Sequence, residues 1–336
     1  MRRVQALLAV VVLALGVGAC GNKAETDGGG GGEAASWPQR DVRIMAPADP
    51  GGGWDSTARE MAEALRKGKV IDKGVEVYNV PAAGGTIGLS QLVSKRAGES
   101  NELMVMGLVM LGAILTNDSP VDLSKTTPIA ALTTEPEAIV VRSQSKYESM
   151  QDLVEAMKAD PGKVSFGGGS AGGTDQILVG LVAKAVGVDP SKPKYVAYSG
   201  GGEAVQSILS GSVDAGVSGV SEFADHVEAG KMRVLAVSTR ESLEVGGKEA
   251  QSLTEQDIDV EITNWRGVVA PPEIEPEERE AIIAAIEKLH DSPEWQQALE
   301  RNEWTDFFRT GDEFQAFIDS ENERVEQVLR DIGLTE

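Results

Sequence analysis

A glycine-rich loop between a short strand and a helix is the feature that most constrains the fold of this chain. Residues 41–45 form a strand-like run, Pro50 to Gly53 form the loop, and residues 56–67 have a helical pattern. Glycine has no Cβ atom, so this backbone can turn sharply and approach a ligand closely. Free N–H groups at the start of the helix favour an anion such as a carboxylate or a phosphate. A tight turn that binds nothing would show the same pattern.

The same unit of strand, glycine loop and helix occurs three more times. The further loops occupy residues 81–88, 167–174 and 198–202, and each follows a short apolar run. In parallel α/β sheets such loops meet at the carboxyl ends of the strands, where ligands bind. Two loops lie in each half of the chain. The pattern therefore predicts an α/β fold of two lobes with a binding cleft between them.

The first 40 residues predict export rather than a folded domain. Arg2 and Arg3 precede the apolar run 4–17, as in a signal peptide. The run ends in Val17-Gly-Ala-Cys20, which resembles a bacterial lipobox, in contrast to a plain buried or free thiol. We therefore expect a signal peptide at 1–19, then lipidated Cys20 and a flexible linker at 20–40. The folded part would lie outside the cytoplasm, anchored to the cell membrane.

Charge and cysteine content exclude several classes of protein. The formal net charge of the 336 residues is −22 at pH 7, which argues against a nucleic-acid partner. Backbone donors inside a cleft act at hydrogen-bond range, so an anionic ligand remains compatible with this charge. A single cysteine allows no internal disulfide. His226 and His290 lack metal-ligand spacing, so we predict neither a metal nor a cofactor.

Two segments are predicted to cross between the lobes. Strands at 128–132 and 138–141, joined by a connection at 133–137, lead into the second lobe. A long strand at 261–270 leads back. The remaining chain shows the amphipathic spacing of helices that pack on the first lobe, at 277–290, 293–300 and 312–329.

Six short motifs, in this order, resemble those of the solute receptors of tripartite tricarboxylate transporters, also called Bug receptors. The first is Pro50-Gly-Gly-Gly-Trp-Asp-Ser-Thr-Ala-Arg59, which fits the pattern PGG-x-x-D-x-x-AR. The other motifs occupy residues 79–88, 166–174, 198–204, 211–215 and 265–271. Two motifs depart from the family pattern. Ala82 replaces the usual first glycine of the second motif, and Asp175-Gln176 stands where a histidine commonly follows the third.

This resemblance implies a two-lobed periplasmic-binding-protein fold, type II-like, with two crossover strands. It places lobe 1 at 41–137 and 263–336, and lobe 2 at 138–262. It implies a monomer that binds a small di- or tricarboxylate through backbone amides, hydroxyls and water, closes its lobes around it, and delivers it to a membrane permease. The alternatives are a receptor that feeds a signalling system, and a serine hydrolase that uses Ser170 in Gly-Gly-Ser-Ala-Gly.

The predicted ligand-binding residues come from the glycine loops and from nearby strand ends. Asp55 is interpreted as a helix cap or a water ligand, because like charges repel. Asp214 fits a structural turn equally well, and Arg59 is expected to pair with a neighbour on its helix. The full predicted set is Gly51, Gly52, Gly53, Trp54, Asp55, Ala83, Gly84, Gly85, Thr86, Ser170, Gly172, Gly173, Thr174, Ser199, Gly200, Asp214 and Ser218.

Overall fold

The computed structural model describes residues 37–198 and 201–335, which alternate between strands and helices. The predicted signal peptide, Cys20 and linker up to residue 36 lie outside the described residues. The strands are β1 (Val42–Ala46), β2 (Val75–Asn79), β3 (Glu102–Gly107), β4 (Thr127–Arg142), β5 (Ser165–Gly168), β6 (Lys194–Ala197), β7 (Ala215–Gly219), β8 (Met232–Val237), β9 (Leu243–Val245), β10 (Lys248–Ala250), β11 (Thr263–Ala270) and β12 (Thr305–Thr310). The helices are α1 (Gly53–Lys67), α2 (Thr86–Lys95), α3 (Leu108–Thr116), α4 (Met150–Ala159), α5 (Thr174–Ala185), α6 (Gly201–Ser210), α7 (Val220–Glu228), α8 (Pro276–His290), α9 (Pro293–Arg301) and α10 (Gly311–Asp331).

One mixed sheet joins ten of the strands in the order β2-β1-β3-β11-β4-β7-β5-β6, and β8 and β12 also pair with β4. The first half of the sheet contains the parallel strands β1, β2 and β3. The second half contains the parallel strands β5, β6 and β7. Each half therefore places its strand-to-helix loops at one edge, which is where a ligand cleft forms in α/β proteins.

Strand β4 connects the two halves and corrects one prediction. Residues 133–137, expected to form a connection between two strands, belong instead to a single strand of 16 residues. The first part of β4 pairs with β11 and β12, and the second part pairs with β7 and β8. Glu135, Pro136 and Glu137 are residue types that are common in loops. Pairing along both parts of β4 nevertheless keeps residues 133–137 extended.

The C-terminal region contains a further strand that the pattern does not predict. Strand β12, between α9 and α10, runs antiparallel to the first part of β4. Its residues are exposed or only partly buried, so it shows little of the apolar alternation that marks a strand. The chain thus returns to the first half of the sheet twice after residue 262, through β11 and then through β12.

The core is mainly aliphatic, with a few fully buried aromatic rings such as Trp295 and Phe314, and it lies on both faces of the sheet. Strand β3 is buried along its whole length, as expected for a parallel strand covered by helices on both sides. Helix α1 buries Met61 and Leu65 against the sheet, and each such side chain contributes about 1.5–3 kcal/mol relative to exposure. No helix within residues 37–198 and 201–335 combines the length and the apolar character needed to cross a membrane.

Candidate ligand-binding site

A cavity of about 240 Å³ lies between the two halves of the sheet. That volume falls below the roughly 300–1,000 Å³ that is typical of sites for drug-sized ligands, so the cavity suits a small molecule. The residues that line it are Pro47, Ala48, Gly52, Gly53, Trp54, Ala82, Ala83, Gly84, Gly85, Val109, Asn117, Gly169, Ser170, Ala171, Asp175, Ala197, Tyr198, Ser218, Glu222, Asn264 and Arg266.

The cavity brings together eight of the seventeen predicted ligand-binding residues. The eight are Gly52, Gly53, Trp54, Ala83, Gly84, Gly85, Ser170 and Ser218. Seven others are described but do not line it, namely Gly51, Asp55, Thr86, Gly172, Gly173, Thr174 and Asp214. Ser199 and Gly200 lie outside the described residues.

The first glycine loop leads into α1 and offers backbone donors to the cavity. Gly52 precedes the helix and provides no side-chain cap, so the first-turn N–H groups have no acceptor within the helix. Asp55 serves the loop itself: it accepts from Gly51 N–H at 2.9 Å and from Asn79 Nδ2 at 2.9 Å. Arg59 Nε also donates to Asp55, at 2.8 Å. Asp55 is therefore fully engaged by protein groups.

The second glycine loop forms the adjoining part of the wall. Gly84 and Gly85 have φ values of +59° and +87°, in the left-handed region that favours glycine. A Cβ atom on Gly85 would lie 2.7 Å from the Trp54 ring, so the loop packs directly on that side chain. Helix α2 begins after Gly85 without a side-chain cap, and the Thr86 hydroxyl donates to the Ala83 carbonyl instead. The N–H groups of Gly85 and Thr86 donate to the carbonyls of Ala82 and Ala83. Only the later first-turn N–H groups of α2 therefore remain for a ligand beside the cavity.

The N–H groups of the third glycine loop donate to acceptors in or just after the loop. The prediction that Gly172 and Gly173 offer amide donors to a ligand is therefore not supported by their hydrogen bonds. Gly169 N–H donates to Asp175 Oδ2 at 2.6 Å, and Gly172 N–H donates to Gln176 Oε1 at 2.8 Å. Gly173 N–H donates to the Ser170 carbonyl at 3.0 Å. The amides of Gly169, Gly172 and Gly173 are therefore satisfied within the loop, and a carboxylate side chain, Asp175, faces the cavity instead.

The third loop also touches the first half of the molecule. A Cβ atom on Gly112 of α3 would lie 1.9 Å from the Gly172 carbonyl oxygen. Only glycine at position 112 permits this approach, so the two halves of the molecule are in direct contact here, next to the cavity-lining residues Ser170 and Ala171. Thr116, one turn later on α3, also packs against Gly172.

A buried ion pair holds Arg266, which lines the cavity. Arg266 Nη2 on β11 donates to Glu135 Oε2 on β4 at 2.5 Å, and both side chains are almost fully buried. The other carboxylate oxygen of Glu135 accepts from Ser221 N–H at 2.8 Å, at the start of α7. A Cβ atom on Gly53 would lie 2.4 Å from the Arg266 guanidinium, which explains glycine at that position. The pair therefore ties α1, β4, β11 and α7 together.

Three more carboxyl groups surround that ion pair. Burial, then the charge of Glu135, raises the pKa of Glu222 to about 7. Burial likewise raises the pKa of Asp175 to about 6, although the hydrogen bond from Gly169 N–H opposes the rise. Burial together with the charges of Asp175 and Glu135 raises the pKa of Glu137 well above its ordinary value. Arg266 is the only cation among the described residues that line the cavity, and Glu135 already neutralises it.

Asp214 and the histidines lie away from this arrangement. Asp214 precedes β7, at the opposite end of that strand from Ser218, and accepts from Ser165 N–H at 3.0 Å and Ser165 Oγ at 2.7 Å. It therefore joins the starts of β5 and β7. Ser170 lines the cavity, but neither His226 nor His290 does among the described residues. The partners of a serine hydrolase triad are thus not assembled around Ser170.

Sequence reasoning missed the charged residues of the cavity, although weak signals existed. Asp175 occupies the position where the resemblance breaks down, immediately after the third motif. Asn264 and Arg266 flank Trp265 in the sixth motif. Glu222 carries no motif, because its place in the cavity follows from the pairing of β7 with β4. Among the described residues no group of three His, Cys, Asp or Glu side chains has the geometry to hold a metal ion.

Comparison with known proteins identifies the family of this chain. The family model described as "Tripartite tricarboxylate transporter family receptor" matches residues 57–334. A "UPF0065 protein in gbd 5'region" from Cupriavidus necator is 25% identical over 331 residues, covering 97% of this chain and 95% of the relative.

Solved structures share the fold at low sequence identity. MatC from Rhodopseudomonas palustris, solved with bound malate, is 20% identical with a TM-score of 0.76, covering 87% of this chain and 100% of the other. A second R. palustris protein, solved with adipate, is 20% identical with a TM-score of 0.79, covering 89% and 99%. The predicted periplasmic-binding-protein fold is therefore confirmed. With the family model matched over most of its length, the chain belongs to the tripartite tricarboxylate transporter receptor family.

Proposed function

We propose that this protein is an extracytoplasmic solute receptor that binds a small di- or tricarboxylate and passes it to a transporter permease. Its family is one of solute receptors and not of enzymes, which removes the hydrolase alternative. Two structural neighbours were solved with malate and adipate, both small dicarboxylates, and they support the same class of ligand.

The observation that carries this function is the pair of uncapped helix starts beside one small cavity. The cavity-lining residues Gly52 and Gly53 begin α1, and Gly84 and Gly85 precede α2. First-turn N–H groups without side-chain caps bind anions through hydrogen bonds and through the helix dipole. Ser170 adds a hydroxyl donor from the second half of the molecule, and Trp54 forms part of the wall. The Ser218 hydroxyl already donates to Glu222 Oε2 at 3.0 Å.

Ligand capture would close the two lobes around this cavity. The boundaries predicted from the sequence, 41–137 with 263–336 and 138–262, leave two strands that cross between the lobes. Strand β4 pairs with both halves of the sheet, and β11 pairs with β4 up to Pro136. Rotation about these strands would open the contact between Gly112 and Gly172 and admit the ligand.

Lipidation of Cys20 would hold the receptor at the outer face of the membrane, as a monomer on a flexible tether. Incorporation of labelled palmitate into the wild-type chain, and its loss in Cys20→Ala, would test this anchoring. Labelling that persists in Cys20→Ala would contradict it.

Thermal unfolding with succinate, malate, adipate and citrate tests the function itself. A ligand at a hundred times its Kd stabilises the folded state by about 2.7 kcal/mol, so binding raises Tm measurably. Gly84→Ala should abolish the shift, because a Cβ atom there would lie 2.3 Å from the Ala113 Cβ and the backbone has φ of +59°.

Gly187→Ala is the matched control. Gly187 also has positive φ, at +79°, but a Cβ atom there meets no atom within 4 Å. This variant should carry the same backbone strain and keep the ligand-induced shift. If no carboxylate raises Tm of the wild-type protein at millimolar concentration, the proposed function is wrong.

A further inference from the structure

The two sides of the cavity differ in the kind of hydrogen-bonding group that they present. The first half of the molecule presents the backbone donors at the starts of α1 and α2. The second half presents the carboxylates of Asp175 on α5 and Glu222 on α7. The nearby Gly169 N–H group is not available to a ligand, because it already donates to Asp175. The second half of the molecule therefore presents mainly acceptors to the cavity.

Two buried polar atoms in the same cavity have no partner among the described residues. Asn264 Oδ1, an acceptor, belongs to a residue that is 8% exposed, and Arg266 Nη1, a donor, belongs to a residue that is 2% exposed. Both residues line the cavity. An unpaired buried polar atom costs roughly 1–3 kcal/mol, so both atoms favour a ligand that supplies the missing partners.

We infer that the ligand carries an ammonium group as well as a carboxylate, and that Asp175, Glu222 and Asn264 Oδ1 receive the ammonium. This inference rests on the proposed function and specifies its ligand. Arg266 Nη1 and the first-turn N–H groups of α1 and α2 would receive the carboxylate. A primary ammonium fits because it offers three N–H donors to three acceptors.

The surrounding charges support a cation at this place. Glu135 and Glu137 on β4 face Asp175 and Glu222, and Tyr195 on β6 lies beside Asp175. Arg266 on β11 is the opposing cation, and Glu135 already pairs with it. A ligand ammonium would therefore compensate the buried Asp175 and the half-buried Glu222, which otherwise lack a counter-charge of their own.

The raised pKa values of Asp175 (about 6) and Glu222 (about 7) give the binding a pH dependence of known sign. Both groups lose protons between pH 5 and pH 7.5, and only the ionised groups attract an ammonium strongly. Affinity for an amine-bearing ligand should rise over this interval. A plain dicarboxylate bound by protonated Asp175 and Glu222 would show the opposite trend.

Calorimetric titration with matched pairs of ligands tests the inference. The pairs are aspartate with succinate, glutamate with glutarate, and 4-aminobutyrate with butyrate, and the members of each pair differ in the amino group. At about pH 7.5 the amine-bearing member of at least one pair should bind about tenfold tighter or more, because its hydrogen bonds are charge-assisted. This advantage should shrink at about pH 5, where Asp175 and Glu222 are protonated.

Two isosteric variants separate this inference from the proposed function. Glu222→Gln and Asp175→Asn should each lose the preference for the amine and keep, or improve, binding of the partner without it. Glu228→Gln is the control, since Glu228 is exposed on the same helix, α7. Tighter binding of the plain carboxylate at about pH 7.5, or a preference that survives in both variants, would overturn the inference alone. Absence of binding by every carboxylate would overturn the proposed function together with it.

Discussion

Two aspartates lie at nearly equivalent places in the two halves of the molecule, but their pKa values are shifted in opposite directions. Asp55 and Asp175 each lie in the first turn of a helix that follows a glycine loop, and each accepts a hydrogen bond from a loop N–H group. Burial would raise the pKa of Asp55, but the hydrogen bonds from Arg59, Gly51 and Asn79 outweigh burial and lower it. Asp175 has no comparable set of partners, and its pKa is raised to about 6.

The difference shows that the glycine loop alone does not determine what a wall of the cavity offers. In the first half, Asp55 pairs with Arg59 and accepts from the Gly51 N–H group, so it does not face the cavity and the adjacent helix start presents donors. In the second half, Asp175 takes up the loop amide, faces the cavity and presents an acceptor. The identity and pairing of one residue after the loop thus decide whether that side of the cavity presents donors or acceptors.

The largest expected effect comes from removing Arg266, the only cation among the described residues that line the cavity. Arg266→Ala leaves Glu135 buried without its partner, beside Glu137, Asp175 and Glu222. Breaking a buried ion pair in this way destabilises a protein by about 3–5 kcal/mol. Urea unfolding at neutral pH should show this loss.

The control for that variant is Arg240→Ala. Arg240 Nε lies 2.6 Å from Glu261 Oε2, but the two side chains are 79% and 46% exposed. Exposed pairs contribute about 0–1 kcal/mol, so the loss should be small. Similar losses in the two variants would show that burial of the Arg266–Glu135 pair is not what makes it important.

An intermediate effect is expected when one acceptor of the second wall is neutralised. The folded-state pKa of Glu222 is raised from 4.5 to about 7, so its contribution to stability is fully present below pH 4.5 and is lost as the pH rises through 7. One pKa unit corresponds to about 1.4 kcal/mol, and because Glu222 is partly exposed, Glu222→Gln should stabilise the unliganded protein by about 1–3 kcal/mol at about pH 8.

Urea unfolding without ligand at about pH 5 and pH 8 measures this effect, since a gain that tracks ionisation must be confined to the higher pH. Glu228→Gln, on the exposed face of α7, should change stability little at either pH. A Glu222→Gln variant that is less stable than wild type at the higher pH would show that Glu222 is held in the ionised state by partners within the protein.

The donor wall could be predicted from the sequence because its determinants are local. The glycines between each strand and helix are adjacent in the sequence, so the loop can be recognised directly. The parallel order of β1, β2 and β3 follows from the alternation of strands and helices. The family motifs led to the same loops. Six of the eight predicted residues that line the cavity come from residues 52–54 and 83–85.

The acceptor wall could not be predicted because its members meet only through long-range pairing. Glu135 and Glu137 lie in a segment that reads as a connection, and only pairing of β4 with β11 and β7 buries them. Glu222 reaches the cavity because Glu135 anchors Ser221 at the start of α7. Burial of a charged residue opposes the usual pattern, so sequence periodicity gives no sign of it.

The smallest expected effect sharpens the comparison of the two aspartates directly. Arg59→Ala removes a hydrogen bond and a charge from Asp55 and leaves its burial unchanged, so the pKa of Asp55 should rise and approach the behaviour of Asp175. Because the Arg59 side chain is 55% exposed, the loss of stability at neutral pH should be only about 0.5–1 kcal/mol. The lowered pKa of Asp55 stabilises the fold at pH values above 3.8, the ordinary pKa of an aspartate. The difference in stability from wild type should therefore shrink as the pH falls below 3.8.

Carboxyl NMR titration measures the pKa of Asp55 in this variant. Lys67→Ala, which removes the exposed pair with Glu63 on the same helix, is the control and should leave Asp55 unchanged. If the pKa of Asp55 stays low without Arg59, the Gly51 and Asn79 hydrogen bonds suffice to hold it, and the contrast with Asp175 depends on hydrogen-bond donors rather than on a counter-ion.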